Sequence, residues 1–201
     1  IIVAGEPNSV FLEIFFKSIK KNKYKSPLII LVSKRLLQSQ MNKLGFAFKI
    51  NTINKDFDDF ERLDNKKINL IDIKYDFNKC FGKISNKSNS YIKETFSIAL
   101  DILHKHKFSK LINGAISKKH FLNGKNLGIT EYLAEKTKKT SKVVMLIFNN
   151  KISVSPLTTH LALKDVHKKI SKQKIYLHVE LITKFYKKKF NKKPKIAITG
   201  L

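Results

Sequence analysis

Arginine and tryptophan are what this sequence lacks most. Among 41 basic residues only Arg35 and Arg62 are arginines, and there is no Trp. A formal net charge of +26 would otherwise point to a polyanion such as nucleic acid. Proteins that read bases and phosphate backbones rely on the bidentate fork of Arg and on aromatic stacking patches. Lysines scattered along the chain without such a patch argue against nucleic acid as a partner. A coding sequence rich in A and T accounts for the abundance of Lys, Ile and Asn, and the positive charge favours phosphorylated small molecules.

Cysteine is reduced to one residue, Cys80, which excludes an intrachain disulfide framework and fits a reducing, cytoplasmic setting. No apolar run approaches the roughly 20 residues that span a bilayer, and Ile1–Gly5 is too short for the apolar part of a signal peptide. No membrane association is expected. The sequence starts on Ile1 and stops at Leu201 just after the apolar run Lys195–Thr199, so it reads as a fragment. With 42% hydrophobic residues it can still bury a substantial core.

The apolar pattern predicts alternating strands and helices. Ile1–Gly5 reads as a strand, Glu6–Ser9 as a turn and Val10–Ile19 as a helix. Pro27–Val32 is a second strand, with Ser33 as N-cap of a helix over Lys34–Leu44. Phe46–Ile50 is expected as a third strand and Lys67–Ile73 as a half-buried fourth. A helix over Tyr91–His106 carries Ile92, Phe96, Ala99 and Leu103 on one face. Lys110–Gly114 follows as a strand, Ser117–Phe121 as a short helix and Thr130–Thr137 as another. Val143–Phe148 and Lys151–Ser155 bracket Asn149-Asn150 as a hairpin within the sheet. Asp165–Phe190 is a long helical region broken near Ser171, and Lys195–Thr199 a final strand. Repeated βα units indicate an α/β fold.

Four segments could carry chemistry. In Ser155-Pro156-Leu157-Thr158-Thr159-His160 an imidazole follows a strand, with hydroxyls beside it. It suits a metal ion, or it serves as a satisfied structural histidine; the pattern alone leaves both roles open. In Asn113-Gly114-Ala115-Ile116-Ser117-Lys118 backbone N–H groups and a lysine could hold an anion, or form an ordinary turn with a solvated Lys118. In Gly128-Ile129-Thr130-Glu131 a hydroxyl and N–H groups at a helix start could meet a phosphate or carboxylate. Alternatively Thr130 is an N-cap and Glu131 merely complements the helix dipole. The opening Ala4-Gly5-Glu6-Pro7-Asn8-Ser9 lacks the glycine spacing of a nucleotide fingerprint. His104, His106, His120, His167 and His178 lie among lysines and are expected to face solvent without a function.

In their order and spacing these segments resemble the 4-hydroxythreonine-4-phosphate dehydrogenase family of pyridoxal phosphate biosynthesis. The family's Gly-Pro-Ile-Ser-Lys corresponds to Gly114–Lys118, and its Gly-His-Thr-Glu-(aromatic)-Leu-Ala to Gly128–Ala134. Its Thr-Thr-His-Leu-Pro-Leu-(basic)-Asp-Val corresponds to Thr158–Val166, and its apolar strand ending Gly-Leu to Lys195–Leu201. Ile129 stands where the family has His, Ala115 and Ala162 stand where it has Pro, and the opening turn departs from Gly-Asp-Pro-Ala-Gly-Ile-Gly-Pro-Glu.

The resemblance implies a two-lobed α/β/α architecture like that of isocitrate and isopropylmalate dehydrogenases, cut short at its C-terminal end. Residues 1–201 would form one incomplete unit whose lobe boundary the sequence does not resolve. It implies oxidation of 4-phosphohydroxy-L-threonine with NAD or NADP, then decarboxylation to 3-amino-2-oxopropyl phosphate. A divalent metal (Zn, Mg or Co) would be held by His160 and by two histidines beyond Leu201. Ile129 and Thr130 would contact the substrate, Lys118 would act on its phosphate or in acid–base catalysis, and a homodimer would share the active site. On that reading the 201-residue stretch is inactive alone. Loss of the imidazole at Ile129 would remove a contact worth about 1.5–3 kcal/mol if it meets a charged group. A relative acting on threonate or erythronate 4-phosphate, or a catalytically degenerate homologue, is the alternative.

Overall fold

Short β-branched runs at the head of the chain become the centre of a parallel sheet. In the computed structural model, which describes residues 1–108, 110–140 and 142–200, the strands are β1 (Ile2–Val3), β2 (Ile29–Val32), β3 (Ile50–Ile53), β4 (Ile68–Asp72) and β5 (Ile112–Asn113). They lie in the order β3-β4-β2-β1-β5, every neighbouring pair parallel. In β1 Ile2 is level with Ile30 on one side and with Ile112 on the other. The run Ile29–Val32 is buried throughout, as expected for a strand covered on both faces.

Helices α1 (Phe11–Lys21), α2 (Lys34–Lys43) and α3 (Asn89–Lys105) supply the cover. Leu12, Phe15 and Phe16 of α1 and Leu36, Leu37 and Met41 of α2 share one core with Ile2, Ile30, Val32, Ile68 and Leu70. The strand residues between these, such as Val3, Leu31 and Ile71, point to the opposite face because side chains alternate along a strand. That face receives α3, which packs on β1 and β2 and buries Ile92, Phe96 and Ala99. Ser33 caps α2 as its pattern suggests, its hydroxyl accepting from Leu36 N at 3.3 Å.

Two expectations for this region change. The third strand begins at Ile50 rather than ending there. Phe46 and Phe48 are instead drawn onto Phe16, with ring centroids 5.4 and 6.1 Å from it, so aromatic burial takes the segment out of the ladder. β4 is an interior strand rather than a half-buried one. Its Asn69 is buried but satisfied, donating to Leu28 O and Asp64 O and accepting from Asn51 Nδ2 at 3.0 Å.

The chain divides into two compact units, Ile1–Lys125 and the residues from Asn126 onward. The second contains α4 (Ile129–Lys136), α5 (Leu163–Val166) and α6 (Lys172–Phe190). The break expected near Ser171 is present, and the Ser171 hydroxyl accepts from Lys174 N to start α6. The expected strands of this region do not form a ladder. Val143–Phe148 and Lys151–Ser155 meet through one antiparallel bridge, Ile147 with Val154, and Lys195–Thr199 is extended without a partner strand among the described residues. Leu201, the end of the Gly-Leu match, lies outside the described residues. Strand propensity needs a neighbouring strand to satisfy its N–H and C=O groups, and one bridge supplies little of that. The second unit surrounds a cavity of about 1080 Å³ whose walls include Ile152, Val154, Val166, Ile170 and Ile182. No helix among the described residues is long and apolar enough to cross a membrane.

Candidate functional site

In the first unit, the chain leaves β1 toward β2 on one side and returns through α3 to β5 on the other. The carboxyl ends of β1 and β5 therefore flank the point where strand order reverses, the usual place for a ligand in an open parallel sheet. Backbone approach here is close. A Cβ on Gly114 would lie 2.0 Å from Ala4 O, and one on Gly5, whose φ is +74°, 2.4 Å from Ala115 O. Glu6 N donates to Ala115 O at 2.8 Å, tying the two strand ends together.

Glu6 itself is buried, and sequence reasoning gave it no role. Its carboxylate accepts from Ser88 Oγ at 2.8 Å and from Asn8 N at 3.2 Å. Asn8 Oδ1 accepts from Gly82 N, and Gln40 donates to Pro7 O, so the whole turn after β1 is held in place. Two phenols complete the cluster. Tyr91 is pushed to a high pKa chiefly by burial and accepts from Ser33 N. Tyr75 is raised first by burial and then by the Glu6 charge.

Lys118 opens a single π-helical turn, Lys118–Leu122, in which Asn123 N donates back to Lys118 O at 3.0 Å. Ser117 caps it by accepting from His120 N, and the Lys118 side chain is exposed. Its ammonium is thus free to meet an anion near the end of β5. His120 departs from expectation: it is half-buried and pairs through Nδ1 with Asn86 Oδ1 at 3.0 Å. His106 likewise turns inward, its ring 4.7 Å from that of Phe60, because aromatic packing outweighs its lysine neighbours. His178 is half-buried on α6, where burial and then Lys174 lower its pKa. His104 and His167 are exposed as expected.

In the second unit, the start of α4 and the His160 loop come together. The helix begins at Ile129 with Gly128 as its cap, so Thr130 is the second helical residue and not the N-cap. Gly128 is buried, and the reason for a glycine is local. A Cβ there would lie 3.0 Å from Glu131 Oε2 and 3.5 Å from His160 Nε2. Tyr132 and Ala134 anchor the helix by burial, and the Tyr132 phenol is raised in pKa by that burial and then by Glu135.

His160 is exposed and sits at φ +57°, a left-handed conformation unusual for a residue with a side chain. The loop before it is fastened at its root: Ser155 Oγ donates to Met145 O at 2.8 Å. Ile147 and Val154 exchange backbone hydrogen bonds, and Tyr186 of α6 donates to Ser153 Oγ at 2.9 Å. Phe148 stacks on Phe190 with centroids 5.1 Å apart.

Of the residues singled out in the sequence, then, His160, Ile129 and Thr130 lie around Gly128 in the second unit, while Lys118 belongs to the first. For a divalent metal this chain offers the His160 imidazole with the Glu131 carboxylate facing the same gap. That fits two positions of a coordination shell. Among the described residues no group of three or more His, Cys, Asp or Glu side chains converges. Gly128 and Glu131 are the additions that structure makes to the site; the signal in the sequence was their adjacency to Thr130.

Known proteins with similar sequences decide the family. The model for Pyridoxal phosphate biosynthetic protein PdxA matches residues 23–201. The chain belongs to this family. A PdxA-family relative from Sulfurihydrogenibium sp. (strain YO3AOP1), a 4-hydroxythreonine-4-phosphate dehydrogenase, is 33% identical over all of this chain and 62% of its own length. The Colwellia psychrerythraea enzyme of the same name is 26% identical over all of this chain and 61% of its own. The chain thus spans about three-fifths of the length of these curated relatives. Among solved structures, the Klebsiella pneumoniae 4-hydroxythreonine-4-phosphate dehydrogenase superimposes with a TM-score of 0.78 at 18% identity, covering 92% of this chain and 58% of that one. The Burkholderia phymatum enzyme gives 0.73 at 21% identity, covering 91% and 56%. At these identities the likeness establishes the α/β fold.

Proposed function

We propose that this chain carries part of the machinery that oxidises 4-phosphohydroxy-L-threonine with NAD or NADP and releases 3-amino-2-oxopropyl phosphate, for pyridoxal phosphate biosynthesis. The observation that carries this reading is the convergence of His160 and the start of α4 on one gap over Gly128, in a chain whose relatives are named for that dehydrogenation. The larger architecture is that of the isocitrate and isopropylmalate dehydrogenases, a two-lobed fold working as a homodimer in the cytoplasm.

In the reaction a hydride leaves C3 of the substrate for the nicotinamide as the C3 hydroxyl loses its proton. The resulting 3-oxo acid loses its C1 carboxylate as carbon dioxide, and the electrons of the broken bond pass to the C3 oxygen before C2 is protonated. His160 Nε2 is the nitrogen that faces the gap, and its lone pair suits a divalent metal. When bound, such a metal supplies Lewis-acid polarisation of the hydroxyl. Thr130 brings a hydroxyl to the first turn of α4, whose free N–H groups attract negative charge. Ile129 presents an apolar side chain there and makes no hydrogen bond of the kind the family's His would make. Lys118, which belongs to the first unit, keeps a compact cation of the kind that meets a phosphate.

Incubation of the full-length protein with a divalent metal, NAD or NADP and 4-phosphohydroxy-L-threonine is expected to produce reduced nicotinamide, with release of carbon dioxide. Turnover of L-threonate 4-phosphate in its place would reassign the substrate, and turnover of neither would mark a degenerate homologue.

A further inference from the structure

At the amino ends of β2 and β4, the end of the sheet away from the Lys118 turn, the first unit holds a cavity of its own. Its volume is about 430 Å³, within the range of small-molecule sites. Phe15 and Ile19 of α1, Leu28 before β2, Phe48 and Ile68 make its apolar wall. The rim is held in place by Asn65, which accepts from Leu28 N at 2.9 Å and donates to Tyr24 O and Ser26 O, each at 2.8 Å. Tyr24 is tied to α1 in turn, its hydroxyl 2.6 Å from Ser18 Oγ. The opening is therefore fixed before anything enters it, which lowers the ordering cost of binding.

Charge on the rim is of one sign. Lys23, Lys66 and Lys67 line the cavity and are exposed, and none of the three forms an ion pair among the described residues. The described lining contains no Asp or Glu. Asp64, close by in the sequence, uses its carboxylate to accept from Lys66 N at 2.9 Å. A lysine-rich composition accounts for the number of cations, and lysine stems do cover apolar surface. It does not account for a preformed apolar recess behind them. Such a recess with a cationic rim complements a molecule that has an apolar body and an anionic end. We propose that this cavity binds a small aromatic anion, its ring against the apolar wall and its phosphate or carboxylate on the lysines, at a place separate from the candidate site.

Fluorescence titration of the full-length protein with 1-naphthyl phosphate tests the assignment, with 1-naphthol as the same body without the charge. The phosphate should bind about tenfold more tightly than the alcohol, since three exposed cations contribute together what none supplies alone. The combined variant Lys23→Gln, Lys66→Gln, Lys67→Gln, made at exposed positions, should remove about that tenfold preference and leave the alcohol within about twofold. Ile19→Trp should weaken both probes by filling the recess. Failure of the parent to bind the phosphate, equal binding of the two probes, or a lysine variant that binds the phosphate as the parent does would overturn the proposal. Unchanged binding in Ile19→Trp would overturn it as well. So would displacement of 1-naphthyl phosphate by 4-phosphohydroxy-L-threonine, which would place the probe at the substrate site.

Discussion

The two units use similar apolar side chains to different effect. In the first, Phe16, Leu31, Leu37 and Phe96 are each at 0% exposure, closed between a continuous parallel ladder and the helices on both its faces. In the second, Ile152 stands 74% exposed, Leu163 73% and Ile198 69%, and the buried side chains among its described residues, Tyr132 and Ala134, keep 6% and 5% exposure. The contrast lies in the backbone. Where strands find parallel partners the apolar runs are locked in register and the helices have a surface to cover. Where the strand-prone segments meet through one bridge, the same kind of residue stays open and the structure is held by local contacts: the Ser155 bond to Met145, the Tyr186 bond to Ser153 and the Phe148–Phe190 stack. The His160 loop grows from these local ties, so the candidate site belongs to the less buried part of the molecule. Functional loops are commonly drawn from regions of low local stability.

Core truncation should give the largest difference between the units. Phe96→Ala, which empties a fully buried position, is expected to cost about 3–5 kcal/mol, whereas Ile152→Ala should stay within about 0.5 kcal/mol. Urea unfolding followed by circular dichroism measures both, and equal costs would erase the distinction. Next in size, Gly114→Ala forces a methyl against Ala4 O and the Phe11 ring. The strand ends must separate, at about 1–3 kcal/mol in the same measurement. Glu6→Gln should cost a comparable 1.5–3 kcal/mol or so, because a charged acceptor is lost from buried bonds to Ser88 and Asn8. A cost near zero would mean that Glu6 contributes nothing to fixing the turn. The smallest effect falls in the second unit, where Ser171→Ala removes the cap of α6 and should cost about 1 kcal/mol. Loss of helical signal confined to thermal fraying, rather than global unfolding, would confirm the looser character of this part.

Much of the first unit is legible in its sequence, for a physical reason. A strand buried on both faces needs an unbroken apolar run, and Ile29–Val32 is such a run, whereas Asn69 interrupts Ile68–Ile71 and makes that interior strand read as half-buried; the 3.6-residue spacing of Ile92, Phe96 and Ala99 marks α3 as plainly. The break at Ser171 is legible because a hydroxyl cap is a local signal. What escapes the sequence depends on distant partners. Phe46 and Phe48 look like strand residues until Phe16 claims their rings. Glu6 looks solvated until Ser88, 82 residues away, is brought against it. The histidines His106 and His120 look exposed until Phe60 and Asn86 close over them. Val143–Phe148 and Lys195–Thr199 have strand composition, yet composition does not supply the neighbouring strand. At the candidate site, the pattern named His160 and Thr130 singly. The gap they share exists only once the loop carrying His160 reaches the glycine that starts α4.

The most direct test of the account is nicotinamide reduction with 4-phosphohydroxy-L-threonine and a divalent metal, measured in parallel with calorimetric metal binding, for the full-length protein and for its His160→Ala variant. The account predicts substrate-dependent reduction by the protein and the loss of both metal binding and reduction in the variant, with its thermal unfolding unchanged because His160 is exposed. A variant that binds metal and turns over as the parent does would contradict it.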